Sequence, residues 1–597
     1  MSEIDSPLTT RESSPTQHAM LIVWGHYARC TGLLEGLASV PISQKVVSYT
    51  PQGKLTEFLL GLLAGIEHLT DLSEGAAPLV KDPEVAVAWQ LAGLADASGV
   101  SRTLTACDAA TETALQGVLE RVAQPFLARA LSDLRERDET WGLDADLTGR
   151  PVSSTSTTYP GAAFGYMDGE IRLGYQLAEI CLQTRLFGRQ WLSAQHHPGN
   201  TVSADCLLDL VSEAERRMGA HPRRRPELLE QRLAAMSTSL TELERLAVQQ
   251  DQQVAEQTLR AARLTDQIQQ AEGHVQALQA APPTARQTKP YSTVNRLSRQ
   301  IIGWQGQRTR AEAQSEHARQ VARDHRERAQ GQAVERAQLQ DRCERFRHEN
   351  AQPSNPPRCR LRVDAGFSSG ENLTALIELG YDLDTKSGNA ALVQALQHQV
   401  TPEMTWTRVG NNAEMIGWTN YYLNTCPYPL TVGLERFHTP KGWLHAVLIR
   451  YQPDTPTECP DLTAWFHAYN GRQTIEAGNK EEKTTFKVQH LMSRSPTGLR
   501  IQTLLTVFAA NFVRWADEWI RPRVERATRR FEAVLASPKR LVRVAANSPA
   551  TIERSHGRTL VCFSSFSSFA GVTVRLAGVP GVQLPLPWSG SDHFSSA

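Results

Sequence analysis

The most regular pattern of apolar positions lies in the middle of the chain. From Leu229 to Leu278, apolar or small residues recur at alternating spacings of four and three, and two glutamines are the polar members of the series. Such heptads predict a long helix whose apolar seam packs against another helix. A proline-bearing break at 281–290 precedes a second helical stretch over 292–350. The pattern therefore predicts an antiparallel coiled-coil hairpin over residues 223–350.

Shorter patterns on both sides of this hairpin predict a mixed α/β chain. Residues 20–140 have the spacing of short amphipathic helices, whereas residues 141–202 predict consecutive strands, with a helix beginning after Asn200. The polar residues 1–17 predict disorder, and the tail predicts loops with weak strands. Beyond the hairpin, the sequence predicts a strand at 359–365, a helix at 370–379, a strand at 381–386, an antiparallel sheet at 404–452 and helix over 461–520.

These changes of pattern divide the chain into predicted segments. The segment Asp96–Leu104 has a turn of small residues before a polar helix start, which fits either a helix-turn-helix or a plain helical hairpin. The predicted segments are a helical N-terminal domain (1–140), a first part of an α/β core (141–222), the coiled-coil hairpin (223–350), a second core part (351–400), a β-rich insertion (401–454), a third core part (455–520) and a C-terminal region with a basic helix (521–597).

Composition narrows the functional classes. The 597 residues include 63 Lys+Arg and 63 Asp+Glu, so total charge gives no sign of a polyanionic partner. The charge is unevenly spread, because residues 221–350 carry 21 basic against 16 acidic side chains and residues 514–543 carry nine against four. With 41% hydrophobic and 21% charged residues, the chain is neither a disordered tail nor a fibrous protein.

Cysteine usage and the first residues predict a location. The nine cysteines are scattered without a C-x-x-C pair, which favours a reducing compartment. The start has no basic region followed by an apolar one, and the longest apolar run near it, Phe58–Ile66, is nine residues long. We therefore expect a cytoplasmic protein of a prokaryote that neither is secreted nor enters a membrane.

One constellation of residues carries a chemical prediction. Tyr469, Arg472, Glu476 and Lys483 are spaced by three, four and seven residues, which would bring them near one face of a helix. A carboxylate flanked by cations and a phenol suits a divalent metal beside phosphate groups. The alternative is a solvated helix with ordinary ion pairs along it.

This spacing resembles the YREK signature of DDE transposases from bacterial insertion sequences. Three further segments resemble the same superfamily: 143–148 resembles the strand of the first aspartate, 360–386 resembles the strand of the second aspartate with the helix and strand after it, and 197–201 resembles a Pro-Gly-Asn loop. The resemblance covers roughly residues 50–220 and 355–520. The predicted coiled coil lies outside it.

The resemblance implies an α/β RNase H-like catalytic core, with the helical N-terminal domain taking part in DNA binding. It implies that Asp146, Asp364 and Glu476 are catalytic and bind two Mg²⁺ or Mn²⁺ ions, which cut and join DNA at the ends of an insertion sequence. Asp144 is an alternative first ligand, because it shares a strand face with Asp146. The implied partners are double-stranded DNA, namely terminal inverted repeats and target DNA, and a second copy of the chain in a nucleoid-associated synaptic complex.

The resemblance also implies DNA contacts. Tyr469, Arg472, Lys480 and Lys483 would hold phosphates near the transposon end. Trp418 would stack on an extruded base during hairpin formation at the DNA end, or else belong to the core of its own sheet. The basic stretch that contains Arg523, Arg526 and Arg530 would follow the phosphate backbone, or else form a solvated helix face.

Other functions compete with transposition. A transposase-derived DNA-binding or scaffolding protein would lack cleavage, and a nuclease of the same fold would cut without strand transfer. A chromosome-organising coiled-coil ATPase is disfavoured, because Gly53-Lys54 is followed by Leu55 and no phosphate-binding G-x-x-x-x-G-K-[ST] loop exists. The coiled coil itself would dimerise, reach flanking DNA or fold back within one chain.

Overall fold

The computed structural model describes residues 12–167, 169–280, 288–352, 355–440, 442–453, 460–472, 483–555 and 558–576. The chain divides into two compact units. The core unit combines Met1–Arg223 with Asn355–Ala597, and the hairpin unit is Arg224–Ser354. Among the described residues, no helix combines the length and the apolar character needed to cross a bilayer.

Helices dominate the N-terminal part and the hairpin unit, as the periodicity predicts. The helices are α1 (Ala19–Cys30), α2 (Leu33–Ala38), α3 (Pro51–Ala64), α4 (Pro83–Ala88), α5 (Ala97–Ala106), α6 (Ala109–Glu136), α7 (Ser203–Met218), α8 (Pro226–Ala280), α9 (Thr288–Ala351), α10 (Gly370–Glu378), α11 (Ala390–Gln399), α12 (Leu462–Asn470), α13 (Pro496–Ile520), α14 (Arg529–Leu535) and α15 (Pro538–Arg540).

Strands lie on both sides of the hairpin unit in the sequence. The strands are β1 (Glu12–Thr16), β2 (Trp141–Pro151), β3 (Ala163–Met167), β4 (Glu170–Thr184), β5 (Gly188–Pro198), β6 (Cys359–Val363), β7 (Asp382–Ser387), β8 (Thr407–Arg408), β9 (Ala413–Leu423), β10 (Cys426–Thr439), β11 (Gly442–Tyr451), β12 (Val524–Arg526), β13 (Ala550–Ser555), β14 (Arg558–Phe563) and β15 (Thr573–Arg575).

A mixed sheet forms the centre of the core unit. Its order is β3-β4-β2-β6-β7-β11-β10-β9-β8, and β5 pairs with β4. The pairs β2–β6 and β6–β7 are parallel, whereas β4 is antiparallel to both β2 and β5. The predicted α/β class is therefore confirmed. The β-rich segment after residue 401 is not a separate sheet, because β11 pairs antiparallel with β7 and continues the central one.

The N-terminal helices and the C-terminal region share one apolar core. Phe126 of α6 stacks on Trp515 of α13 with ring centroids 4.7 Å apart, and Tyr27 of α1 contacts Phe512 at 5.0 Å. The predicted disorder of residues 1–17 is wrong for β1, which pairs antiparallel with β13. The tail is likewise more ordered than predicted, since β1, β13, β14, β15 and β12 form a five-stranded sheet.

Two predicted helices differ from the structure. The basic stretch 514–543 is not one helix: α13 ends at Ile520, and β12 separates it from α14. Pro522 lies two residues beyond that end, where the proline ring disfavours a continued helix. The turn predicted before Leu104 is the N-terminus of α5, where the carboxylate of Asp96 accepts a hydrogen bond from the Gly99 amide at 2.6 Å.

The hairpin unit confirms the heptad prediction. Along α8, buried side chains fall at predicted seam positions: Leu229, Leu240, Ala247, Ala261, Leu264, Ile268 and Ala271. Contacts run in opposite directions along the two helices, because Arg347 bonds Glu230 at 2.7 Å near the base and Ile268 packs on Ile301 toward the tip. Helices α8 and α9 therefore pack antiparallel within one chain.

Candidate active site

The two predicted aspartates follow the last paired row of two neighbouring parallel strands. In the register of β2 and β6, Asp144 is opposite Arg362, and this is the last paired row. Asp146 lies two residues beyond Asp144 within β2, and Asp364 lies two residues beyond Arg362, directly after the end of β6. Because side chains alternate between sheet faces, Asp146 belongs to the same face of β2 as Asp144.

Asp144 is fully engaged in holding the sheet together. It is completely buried, and the Arg362 guanidinium donates to its two oxygens from Nε at 2.6 Å and Nη2 at 2.8 Å. Gln183 of β4 donates to Oδ2 at 2.8 Å. Arg362 also donates through Nη1 to the Ala468 carbonyl of α12 at 2.9 Å. This carboxylate therefore links β2, β4, β6 and α12 rather than facing a ligand.

Asp146 and Asp364 are more accessible. The side chain of Asp146 is 14% exposed, and its Oδ1 accepts a hydrogen bond from Arg472 Nη2 at 2.8 Å. Asp364 is half-buried, and its Oδ1 accepts from the Gly366 amide at 2.9 Å. The Thr385 hydroxyl on β7 donates to the Asp364 carbonyl at 3.0 Å, which fixes the backbone at the end of β6. Strands thus position both carboxylates.

The predicted helix through residues 469–483 is not continuous in the described residues. Helix α12 ends at Asn470, and Gly471 forms its C-terminal cap. The buried Tyr469 directs its hydroxyl to the Val363 carbonyl of β6 at 3.4 Å, while Arg472 turns to Asp146. Tyr469 therefore reaches the end of β6 and Arg472 reaches the middle of β2, without sharing one regular helix face.

Of the other predicted site residues in this segment, only Lys483 is among the residues that the structure describes. Glu476 and Lys480 lie outside the described residues. The side chain of Lys483 is half-buried. The structure therefore brings Tyr469 and Arg472 to the two aspartates.

A row of alternating charges crosses the same face and was not anticipated from the sequence. Asp144 of β2, Arg362 of β6, Asp384 of β7 and Arg450 of β11 are successive register partners, and Arg450 Nε donates to Asp384 at 2.7 Å. Buried ion pairs of this kind need partners on every side to offset the cost of desolvation. Arg occupies every second position of β6, and Asp occupies every second position at the start of β7. This pattern is the sequence signal that could have revealed the row of charges.

Beyond this row, Lys386 of β7 lies near Tyr469. Its ammonium lies 3.3 Å from Glu435 of β10 and 5.6 Å from the Tyr469 ring centroid. Burial raises the pKa of Glu435, and the charge of Lys386 opposes that rise. A positive group thus lies beside the strand ends that carry the two aspartates.

The remaining predicted DNA contacts differ in accessibility. Arg523 is buried: its guanidinium stacks 3.9 Å from the Trp519 ring and donates to the Trp519 carbonyl at 2.7 Å. Burial lowers its pKa, and the prediction that it binds phosphate is corrected to a packing role. Arg526 and Arg530 are exposed, and Trp418 is half-buried on β9 opposite Val432.

The donor set fits a hard divalent cation. Asp146 and Asp364 offer carboxylate oxygens, which are the ligands that Mg²⁺ and Mn²⁺ prefer.

Comparison of the chain with protein-family models and with curated proteins found no match.

Proposed function

We propose that this chain is a DDE transposase, which cuts and joins the ends of an insertion sequence by metal-assisted phosphodiester chemistry. The observation that carries the proposal is the position of Asp146 and Asp364, each two residues beyond the last paired row of the adjacent parallel strands β2 and β6. The register of β2 and β6 supports this position. Two fixed carboxylates in this arrangement suit a pair of metal ions ~3.5–4 Å apart.

The strand order supports an RNase H-like core. Five strands follow the order β5-β4-β2-β6-β7, in which β4 runs antiparallel to its neighbours and β6 and β7 run parallel to β2. This is the order expected of an RNase H-like sheet. In the sequence, the hairpin unit lies between α7 and β6, and therefore between the first and second aspartates.

The third carboxylate is proposed to be Glu476. It follows Arg472 by four residues, a chain length that spans at most roughly 14 Å, and Arg472 bonds Asp146. This limit leaves Glu476 able to reach the metal site beside Asp146. The resemblance of Tyr469, Arg472 and Lys483 to the YREK signature points to the same residue.

Each residue then has a separate task. Bound Mg²⁺ or Mn²⁺ ions would supply activation of the attacking oxygen and stabilisation of the leaving oxygen. Asp146 and Asp364 hold the ions, while the Asp144–Arg362 pair fixes the spacing of β2 and β6. Arg472 neutralises Asp146 in the unliganded chain, and we propose that it moves to a DNA phosphate when the ions bind.

The DNA partner is proposed to lie along four basic side chains, of which Arg526 and Arg530 are exposed. Lys480, Lys483, Arg526 and Arg530 would contact phosphates of a terminal inverted repeat, with Trp418 near an unstacked base. Cutting two ends requires two active sites, so we propose a dimer in the synaptic complex with target DNA, in the cytoplasm and nucleoid. A nuclease of the same fold would use the same carboxylates and would differ only in leaving no joined product.

The test is cleavage of candidate terminal inverted repeats by the full chain in Mg²⁺, with nicks, hairpins and joined strands scored separately. D364N and E476Q should abolish cleavage while retaining DNA binding in a gel shift, because each removes one charge from the metal site. E371Q removes an exposed carboxylate of α10 near Asp364 and serves as the matched control. Full cleavage by both D364N and E476Q would refute the assignment.

A further inference from the structure

A second group of metal-ligating side chains lies away from the candidate active site. Glu67 and His68 follow α3, and His490 lies in the segment before α13. One potential ligand atom from each of the three lies within 4.8 Å of the other two. The imidazole rings of His68 and His490 have centroids 5.3 Å apart. Residues far apart in the sequence therefore converge on one point.

Both backbone segments at this point are held in place. The amides of Glu67 and His68 donate to Asp71 Oδ2 at 2.8 and 2.9 Å. Gln502 of α13 donates through Nε2 to the His490 carbonyl at 2.6 Å, and its Oε1 accepts from the Met492 amide at 2.9 Å. The three side chains are thus carried on anchored backbone, which reduces the entropy lost when a ligand binds.

The donor set is that of a transition metal rather than of Mg²⁺. Two imidazole nitrogens and one carboxylate oxygen are a recurrent three-ligand set for Zn²⁺, which leaves a fourth position for water. Tetrahedral bonds of ~2.0–2.2 Å place ligand atoms roughly 3.4 Å apart, so modest side-chain rotations close the site from 4.8 Å.

Lys487 is the group that competes with a cation here. Its ammonium contacts Oε1 of Glu67, so the carboxylate is paired when no ion is present. A carboxylate has two oxygens, and a metal needs one of them. The Lys487 contact therefore lowers the affinity without blocking the site.

We propose that Glu67, His68 and His490 bind one Zn²⁺ ion that cross-links the segment after α3 to the segment before α13. The ion would join the N-terminal helices to the stretch of chain that follows the YREK residues. None of its three ligands belongs to the carboxylates of the candidate active site.

The test is a Zn²⁺ titration of the tag-free, chelator-treated full chain in excess Mg²⁺, followed by calorimetry and by the absorption of Co²⁺ as a substitute. We expect one tight site in the wild-type chain and a melting temperature that rises on zinc addition. H68A and H490A should weaken this site at least about 100-fold, since loss of a ligand exceeds the 10- to 100-fold cost of losing an outer contact.

Two controls separate this site from other histidines and from the active site. H398A removes an exposed histidine of α11 and should bind zinc as the wild-type chain does, and so should D364N. The metal-free melting temperatures of all variants show whether each is folded. Absence of a tight wild-type site, or wild-type affinity in both H68A and H490A, would overturn the proposal.

Discussion

At the scale of single residues, the two aspartates of β2 have different environments although they share one sheet face. The sequence predicts the Asp-x-Asp pattern and leaves either residue able to bind a metal. Contacts favour Asp146, because both oxygens of Asp144 are taken by Arg362 and Gln183. Arg362 is distant in the sequence, so no local pattern around Asp144 could have predicted this pairing.

The different environments predict different costs of substitution. D144N leaves the Arg362 guanidinium without its counter-charge in a buried setting, so we expect a loss of about 3–5 kcal/mol in unfolding free energy. D146N should cost less, because Asp146 is partly exposed. Urea unfolding of the two variants compares them directly. A D144N variant as stable as D146N would contradict the structural role of Asp144.

Glu57 predicts a dependence of stability on pH. Burial raises its pKa to about 8, although the Ala95 amide donates to it at 2.7 Å. The folded chain thus holds this proton more tightly than the unfolded chain, whose carboxyl has an ordinary pKa of 4.5. The stabilisation by the protonated form is complete below pH 4.5 and is lost as the pH rises toward 8.

E57Q removes this titration and keeps an acceptor for the Ala95 amide. Relative to E57Q, the wild-type chain should lose up to roughly 4 kcal/mol between pH 4.5 and pH 8. Denaturant unfolding at several pH values within this range measures the difference. Parallel pH profiles for the two proteins would show that Glu57 titrates normally.

At the scale of elements, the pattern of apolar residues predicted the helices and strands that local sequence determines. The heptads predicted α8, the helical composition after the proline-bearing break predicted α9, and strand patterns predicted β2 and β6. The end of α12 at Asn470 was missed, because tertiary contacts of Tyr469 and Arg472 compete with helix continuation. The break in the basic stretch had a local signal in Pro522, whereas burial of Arg523 against Trp519 had none.

The hairpin unit is predicted to be separable. The Arg224 amide donates to Asn350 Oδ1 at 2.9 Å, and Asn350 Nδ2 donates to the Arg224 carbonyl at 3.0 Å. The two ends of the hairpin therefore lie together. Deleting residues 226–348 with a short linker should therefore preserve the melting temperature of the remaining chain. It should reduce paired-end complexes in a gel shift more than metal binding. Unchanged paired-end complexes would dismiss a role of the hairpin in dimerisation.

At the scale of the whole molecule, long-range pairing explains most of what the sequence did not predict. Strand β1 has a polar sequence without a strand pattern, and its backbone pairs with β13 near the other end of the chain. The order of the central sheet likewise joins segments on both sides of the hairpin unit. Equal totals of 63 basic and 63 acidic residues conceal this arrangement, in which acidic strand ends and basic surfaces occupy different places.

The central claim is that Asp364 binds a metal ion at the DNA bond being cut, and a metal-switch measurement tests it most directly. D364C places a thiolate where Mg²⁺ is a poor partner and softer Mn²⁺ is a better one. We predict that D364C fails to cleave a terminal inverted repeat in Mg²⁺ and recovers cleavage in Mn²⁺. Undiminished cleavage by D364C in Mg²⁺ would contradict the claim.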